Sequence, residues 1–246
     1  MPLFRRKRQR VVLTDAGQRV APRIAGAFDT LDAAFAQLRV EDESLLTVST
    51  TQTFAGTWLA WRIGGFQLVN PATAVRLDVD DSMTDFARDA IDAAIRSGRG
   101  PWPGLAADLL LSIDFAPMCS PDFLARHEPM LDLPLIVSDD PWWPWWLREA
   151  GVAVPDGAIR TPSIRMDSQS NQGNAAIAGQ GIAMLTPFLW QNDMADGRLV
   201  QLFPQLCSRG YGYWLVVPEH RRQVLKIRRF RDWLLGEIGR TGKLGR

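Results

Sequence analysis

Two short polar segments of the sequence hold the side chains best suited to bind a small molecule. Residues 49–53, Ser-Thr-Thr-Gln-Thr, follow an apolar run and come directly before a helical pattern. Residues 166–170, Met-Asp-Ser-Gln-Ser, repeat this arrangement in the second half of the chain. One hydroxyl is enough to cap a helix, whereas the first segment has four Ser and Thr residues. Because hydroxyls and helix N-terminal N–H groups suit polar or anionic ligands, two such turns facing each other predict a binding cleft.

Catalytic and metal chemistry have little support in the same sequence. The only histidines, His127 and His220, lie in charged segments typical of solvated surface, so no nucleophile has an evident general base. No GxSxG, HExxH, P-loop or GxGxxG pattern occurs. Cys119 and Cys207 have neither metal-ligand spacing nor the pattern of a disulfide framework. We therefore expect a protein that is not an enzyme and that binds no metal and no cofactor.

The composition predicts one or two folded lobes. The chain has 246 residues, of which 46% are hydrophobic, and this is enough to bury a sizeable core. Its net charge is +1, so any attraction to nucleic acid must be local, at the basic run that opens the chain. No segment approaches the roughly 20 apolar residues of a membrane span, and the start does not resemble a signal peptide. The simplest prediction is a cytoplasmic protein with no membrane partner.

Four of the ten tryptophans fall within Pro-Trp-Trp-Pro-Trp-Trp at residues 141–146. This clustering favours packing along one face of a short helix. A lid over a ligand cleft is the alternative interpretation.

A long helix is predicted from Thr14, a good N-cap, to about Val40. Gly17 and Pro22 fall in its first turns, where proline is tolerated best. Small or apolar residues recur along it at alternating intervals of four and three: Val20, Ile24, Ala27, Leu31, Ala34 and Leu38. A single globular core would also accept this stripe, but so narrow a seam on a helix of this length favours pairing with a second copy.

From residue 45 onwards, strand-like and helical patterns alternate. Strands are predicted at 45–48, 73–79, 90–96, 109–114, 134–137, near 164, at 181–185 and at 211–217. Helices are predicted at 54–68, after Pro121, at 143–150, at 168–178 and at 221–238. This alternation predicts an α/β fold whose parallel or mixed sheet is covered on both faces.

Several ordered motifs resemble those of LysR-type transcriptional regulators, in the branch of glycine-cleavage activators and β-lactamase regulators. The opening LFRRKRQRVVLTDAGQ is similar to the end of that family's winged helix-turn-helix and the start of its linker helix. The effector-domain motifs are DAAIRSGRGPWPGL, MCSPDFL, WPWWLREAG, AAIAGQGIAML and GRLVQLFP. The resemblance extends from Leu3 to about Gly236 and implies two Rossmann-like lobes with a cleft between them, as in periplasmic binding proteins.

The resemblance also gives the basic opening a role. In the family, about sixty residues that hold the DNA-reading helix precede the segment matched here, whereas Met1 lies two residues before Leu3. Residues 1–13 are therefore expected to be a remnant of the wing, 14–40 the dimerising linker, and 43–246 the effector-binding domain. Lobe I is expected at 43–116 and 215–240, and lobe II at 117–214. Contacts to DNA phosphates would come from Arg5, Arg6, Lys7, Arg8 and Arg10, while sequence-specific reading is expected to be lost.

The resemblance places the ligand site position by position. The turn of lobe I matches at Thr51, Gln52 and Thr53, followed by Phe54. The cleft edge matches at Arg96, Ser97 and Trp102; Arg96 would either add a positive charge or pair with Asp92 or Asp114. The facing turn of lobe II matches at Asp167, Ser168 and Gln169, and Tyr213 matches a cleft tyrosine. The β-lactamase regulators have Ser in place of Gln169, which argues against a peptidoglycan fragment as effector.

These features predict the effector-sensing and dimerising portion of a LysR-type regulator. A small polar metabolite, expected to bear a carboxylate, would bind between the lobes of a homodimer or homotetramer, and the full-length form would bind DNA. A periplasmic-type solute-binding protein is the alternative from another class. A third interpretation is a truncated partner that dimerises with full-length regulators.

Overall fold

The structure, a computed structural model, describes residues 2–7, 10–21, 23–24, 27, 44–127, 135–152 and 165–244. The chain divides into two compact units, Met1–Leu45 and Leu46–Arg246. The family-based bounds of the wing, the linker and the two lobes remain predictions.

The first unit contains an antiparallel hairpin and the start of a helix. Strand β1 (Phe4–Lys7) pairs with β2 (Arg10–Leu13). The Thr14 hydroxyl accepts a hydrogen bond from the Gly17 N–H at 3.1 Å, so the predicted helix cap is confirmed. Residues 15–21, 23, 24 and 27 are helical. Leu31, Ala34 and Leu38 of the predicted seam lie outside the described residues.

The second unit is built on a mixed seven-stranded sheet. Its strands are β3 (Leu45–Thr50), β4 (Ala74–Val79), β5 (Ala93–Gly98), β6 (Leu105–Cys119), β7 (Ala183–Leu185), β8 (Val200–Gln201) and β9 (Cys207–Pro218). Their order is β4-β3-β5-β9-β6-β7, and β8 pairs with β6. β3 and β5 are parallel, while β9 is antiparallel to both β5 and β6. The predicted mixed α/β sheet is thus confirmed.

Strands β6 and β9 are much longer than the sequence predicts. The expected run at 109–114 is bounded by Asp108 and Asp114, which interrupt its apolar pattern. The strand nevertheless continues on both sides, because these side chains remain partly exposed while their backbones pair with β9. Register shifts between Leu109 and Leu111 and between Ser112 and Asp114 bend the pair. β6 and β9 consequently run through both halves of the sheet.

The helices cover this sheet. They are α1 (Gln52–Phe54), which continues as a π-helical turn (Ala55–Leu59), α2 (Ile63–Val69), α3 (Pro121–Arg126), α4 (Trp142–Ala150), α5 (Gln169–Ile177), α6 (Gln191–Ala195) and α7 (Leu225–Leu244). Short 3-10 turns occupy Pro187–Trp190 and Glu219–Arg221. As expected, α5 is capped by Ser168 and is followed by Gly179, whose φ of +74° lies in the left-handed region.

Three further predicted elements differ from the structure. The strand expected at 134–137 is reduced to one parallel bridge between Leu135 and Ile182, after which the chain turns. The helix expected at 54–68 is interrupted by a turn at 60–62. The final helix begins at Leu225 instead of Arg221, since residues 219–221 form a 3-10 turn. The strand expected near Ile164 lies outside the described residues.

Helix α7 packs against the core of this unit and is also held there by a buried cluster of charged residues. Phe66 of α2 packs its ring edge-on against Phe230 of α7, with centroids 5.5 Å apart. Asp92 is 6% exposed and forms ion pairs with Arg221 and Lys226, the latter at 2.9 Å. Asp92 also accepts a hydrogen bond from the Thr47 N–H. One carboxylate thereby ties the start of α7 to the sheet.

Candidate functional site

A cavity of about 530 Å³ lies where the two predicted polar turns meet. Nine of the eleven predicted ligand residues line it: Thr51, Thr53, Arg96, Ser97, Trp102, Asp167, Ser168, Gln169 and Tyr213. The other two do not. Gln52 is exposed beside the cavity, and Phe54 is fully buried behind it, with its ring centroid 5.2 Å from those of Trp58 and Tyr213.

The first turn follows β3 and opens α1. The Thr51 hydroxyl accepts from the Phe54 N–H at 3.3 Å and also makes a hydrogen bond with the Tyr213 side chain. Burial raises the pKa of the Tyr213 phenol to about 12, partly offset by that bond to Thr51. Tyr213 therefore faces the cavity as a neutral hydroxyl at physiological pH.

The second turn precedes α5. The Ser168 hydroxyl accepts from the Asn171 N–H at 3.3 Å and lies 2.9 Å from the Ser170 hydroxyl. The side-chain amide of Gln169 accepts from the Thr186 N–H and donates to the Thr186 hydroxyl. These bonds fix Ser168 and Gln169 at the cavity wall.

The two turns are joined directly. The Ser170 N–H, in the first turn of α5, donates to the Thr53 hydroxyl at 3.4 Å. Thr53 and Ser170 are 6% and 8% exposed, so this bond is shielded from water. Residues 117 positions apart in the chain thus form one continuous polar wall.

Most helix N-terminal N–H groups of these turns already have partners, contrary to the expectation that they are free for a ligand. The Gln52 N–H donates to Asp81, and the Phe54 N–H donates to Thr51. The N–H groups of Ser170 and Asn171 donate to Thr53 and Ser168. An anionic ligand would therefore depend on side chains more than on helix ends.

Arg96 is the cation of this cavity. Its guanidinium donates to the hydroxyls of Ser49 and Thr84, each at 2.6 Å, and to the Ile95 carbonyl. Its Nε is buried and has no hydrogen-bond partner within the described residues. Burial lowers the pKa of Arg96, while the nearby carboxylates of Asp80, Asp81 and Asp78 act in the opposite direction.

The alternative role for Arg96, as an ion-pair partner of Asp92 or Asp114, is not what the structure shows. Asp92 is engaged by Arg221 and Lys226. Among the ion pairs of the described residues, none involves Arg96. Neutral hydroxyls hold its side chain in place, so its positive charge is not cancelled by a contacting carboxylate.

Sequence reasoning missed two groups of cavity residues. One is the loop after β4, which contributes Asp81, Ser82, Met83, Thr84 and Phe86. The other is aromatic and comprises Phe115, Trp142, Trp145 and Tyr211. Two tryptophans of α4, Trp143 and Trp146, are 3% and 1% exposed and belong to the core. Core packing is therefore confirmed for this pair, whereas Trp142 and Trp145 line the cavity, and the lid interpretation stays a prediction.

Other chemistry has no evident site in the part of the chain that the structure describes. There, no group of three His, Cys, Asp or Glu residues could hold a metal ion. His127 and His220 are exposed, as expected. Burial raises the pKa of Cys119 to about 11 and of Cys207 to about 12, so both thiols stay protonated at neutral pH. No helix in the described ranges is long and apolar enough to cross a membrane.

The fold is that of the effector-binding domain of bacterial transcription regulators. Residues 39–239 match the family model of the LysR substrate binding domain. The chain belongs to the LysR family.

Relatives and solved structures agree with this assignment. The chain is 31% identical to the glycine cleavage system transcriptional activator of Escherichia coli K12, over 96% of this chain and 79% of the relative. It is 30% identical to the transcriptional activator AmpR of Rhodobacter capsulatus, over 96% of this chain and 81% of the relative. The effector domain of AmpR from Pseudomonas aeruginosa superposes with a TM-score of 0.68 at 30% identity, covering 82% of this chain and all of that domain. These matches confirm the two-lobed α/β fold.

Proposed function

We propose that this chain senses a small carboxylate-bearing metabolite and dimerises, as the regulatory part of a LysR-type regulator that acts in the cytoplasm. The observation that carries the proposal is the joined pair of polar turns in one cavity, with Arg96 beside them. The matched relatives are transcriptional regulators by name, and this supports a regulatory role over an enzymatic one.

The carboxylate would bind through Arg96 and the turn hydroxyls. Arg96 has a buried Nε without a partner among the described residues, and no carboxylate is paired with it there. Thr53 accepts one hydrogen bond from Ser170, so its own hydroxyl proton is available to donate. Hydrogen bonds to a charged acceptor are about twice as strong as neutral ones, so these donors favour an anionic group.

Signalling would use the bond between the two turns. A ligand that contacts both Thr53 and the α5 turn stabilises the arrangement in which those turns are close together. Binding therefore shifts the population towards that arrangement. The size of the shift is set by how much more tightly the ligand binds this arrangement than one in which the turns are apart. In the dimer, the shift would be passed to paired linker helices and change how the intact regulator contacts DNA.

The binding hypothesis is tested with Thr53→Val and Ser168→Ala. Thr53→Val preserves shape and removes the hydroxyl, and loss of a bonded hydroxyl should weaken carboxylate binding by about 1 kcal/mol or more. Ser168→Ala should act similarly from the facing turn. Isothermal calorimetry against a panel of metabolic carboxylates gives the affinities.

Ser112→Ala is the matched control, because its hydroxyl is exposed and lies outside this cavity. It should leave the affinity unchanged. Unaltered binding in both cavity variants would place the carboxylate site elsewhere.

A further inference from the structure

Four rings form one side of the cavity, here called the aromatic wall: Phe115, Trp142, Trp145 and Tyr211. Trp142 is at its centre. The Trp142 ring centroid lies 3.6 Å from that of Phe115, 5.1 Å from Trp145 and 5.6 Å from Tyr211. None of these rings is among the predicted ligand residues.

Core packing accounts for only part of the aromatic wall: Phe115 is a core residue, whereas Trp142, Trp145 and Tyr211 pack against the core and remain partly exposed. Trp143 and Trp146 already fill the core beneath α4, and Trp146 also donates its indole N–H to the Gln205 carbonyl. Trp142 and Trp145, three positions apart, lie on another side of the same helix and remain partly exposed to the cavity. Large rings held at the surface of a cavity supply the apolar contact area that ligand sites commonly use.

Two arginines lie over rings of the aromatic wall. The Arg99 guanidinium lies 4.8 Å from the Tyr211 ring centroid, and that of Arg209 lies 4.8 Å from the Trp145 centroid. Among the described residues neither arginine forms an ion pair. These rings already have cationic partners, and the two positive charges disfavour a third cation nearby. An aromatic cage for an ammonium group would need the opposite charge pattern.

We propose that the effector carries a flat, uncharged or anionic aromatic group that lies against the aromatic wall. This inference rests on the proposed function, since the carboxylate of the same molecule would occupy the polar turns. The cavity volume of about 530 Å³ falls within the range of roughly 300–1,000 Å³ seen for sites of drug-sized ligands. Trp142, Trp145 and Tyr211 would determine specificity for the ring.

The test compares probes that differ only in the ring or in the charge. Phenylacetate and indole-3-acetate are aromatic carboxylates, cyclohexylacetate is the saturated counterpart of phenylacetate, and phenethylammonium has the opposite charge. Aromatic contacts beyond buried area correspond to about a three- to tenfold gain in affinity. We expect phenylacetate to bind more tightly than cyclohexylacetate by about that factor, and phenethylammonium not to compete. Ligand-observed NMR or calorimetry on the full chain gives each Kd.

Variants then assign the ring preference to the aromatic wall. Trp145→Leu and Trp142→Leu should reduce the ratio of the two affinities, phenylacetate over cyclohexylacetate, to about one. A variant that simply misfolds loses both ligands, so the ratio distinguishes specificity from folding. Trp61→Leu is the matched control, because Trp61 is 66% exposed and lies outside the cavity. Arg209→Gln should allow phenethylammonium to compete.

The outcomes for the two proposals are separable. The aromatic proposal is overturned if phenylacetate and cyclohexylacetate bind with equal affinity. It is also overturned if no aromatic probe binds at concentrations up to about 10 mM, a range that includes weak ligands. Tight aromatic binding that ignores Thr53→Val and Ser168→Ala upholds the aromatic wall and overturns the proposed carboxylate site.

Discussion

At the scale of single residues, Asp92 is expected to have a large effect on stability. Its carboxylate faces two cations, and the Lys226 side chain is only 3% exposed. Replacing one member of a buried ion pair typically costs about 3–5 kcal/mol, because the remaining charge stays in a low-dielectric environment. We therefore expect Asp92→Asn to lower the free energy of unfolding by about that amount in urea titrations.

Asp232→Asn serves as the comparison. Asp232 also pairs with an arginine, but its side chain is 60% exposed, and surface pairs contribute only about 0–1 kcal/mol. If the two variants unfold at the same urea concentration, the buried cluster does not stabilise the fold as argued.

Single residues of the cavity could be predicted from the sequence where a short motif fixes them. The hydroxyls of Thr51 and Ser168 were predictable, because each residue comes directly before a helix as its N-cap. Asp81 and Thr84 could not be found this way, because the sequence of their loop has no hydrophobic periodicity from which its position could be predicted. The bond between Ser170 and Thr53 likewise depends on tertiary packing across 117 positions, which no local pattern encodes.

At the scale of elements, type was more predictable than length. The apolar runs predicted β6 and β9 but made them too short, because polar residues interrupt the runs. Pairing between the two strands extends β6 past Asp108 and Asp114. The tryptophan helix was placed correctly, yet the sequence favoured one packed face. Only the structure shows that Trp143 and Trp146 pack in the core while Trp142 and Trp145 line the cavity.

The linker helix is the element on which we expect dimerisation to depend. Val20 and Ile24 are 36% and 46% exposed within the first unit, as expected for a seam whose cover is another chain. Ile24→Asp combined with Leu31→Asp should lower the mass measured by light scattering towards that of a monomer. Deletion of residues 14–40 is the control, since it reveals any contact between effector domains. An unchanged mass in the double variant would exclude the seam as the interface.

At the scale of the whole molecule, contacts from the first-unit hairpin to DNA phosphates should be weak and non-specific, because phosphates carry no sequence information. Four basic residues, Arg5, Arg6, Lys7 and Arg10, fall in the antiparallel hairpin, and they could neutralise a few phosphates. The affinity should then fall linearly with salt on logarithmic axes, by a slope of about −0.9 for each phosphate contacted. Fluorescence anisotropy across salt concentrations gives this slope.

Gln substitutions at Arg5 and Arg6 should each make the salt slope shallower by about one unit. Arg228→Gln, in helix α7 of the second unit, is a suitable charge-matched control. A duplex bound about 10³-fold more tightly than random DNA would show sequence-specific reading and contradict the prediction.

The continuity of β6 and β9 limits how the two lobes can move. Their backbones are hydrogen-bonded from Leu105 opposite Pro218 to Phe115 opposite Cys207, so no flexible linker separates the halves along this ribbon. Wide opening would break those bonds, whereas twisting at the two register shifts preserves them. We therefore expect motion between the lobes to be a twist of this ribbon at its two register shifts. Under the proposed mechanism, an effector that holds the joined turns together would favour one twist angle of this ribbon, and its release would free the lobes to twist away from that angle.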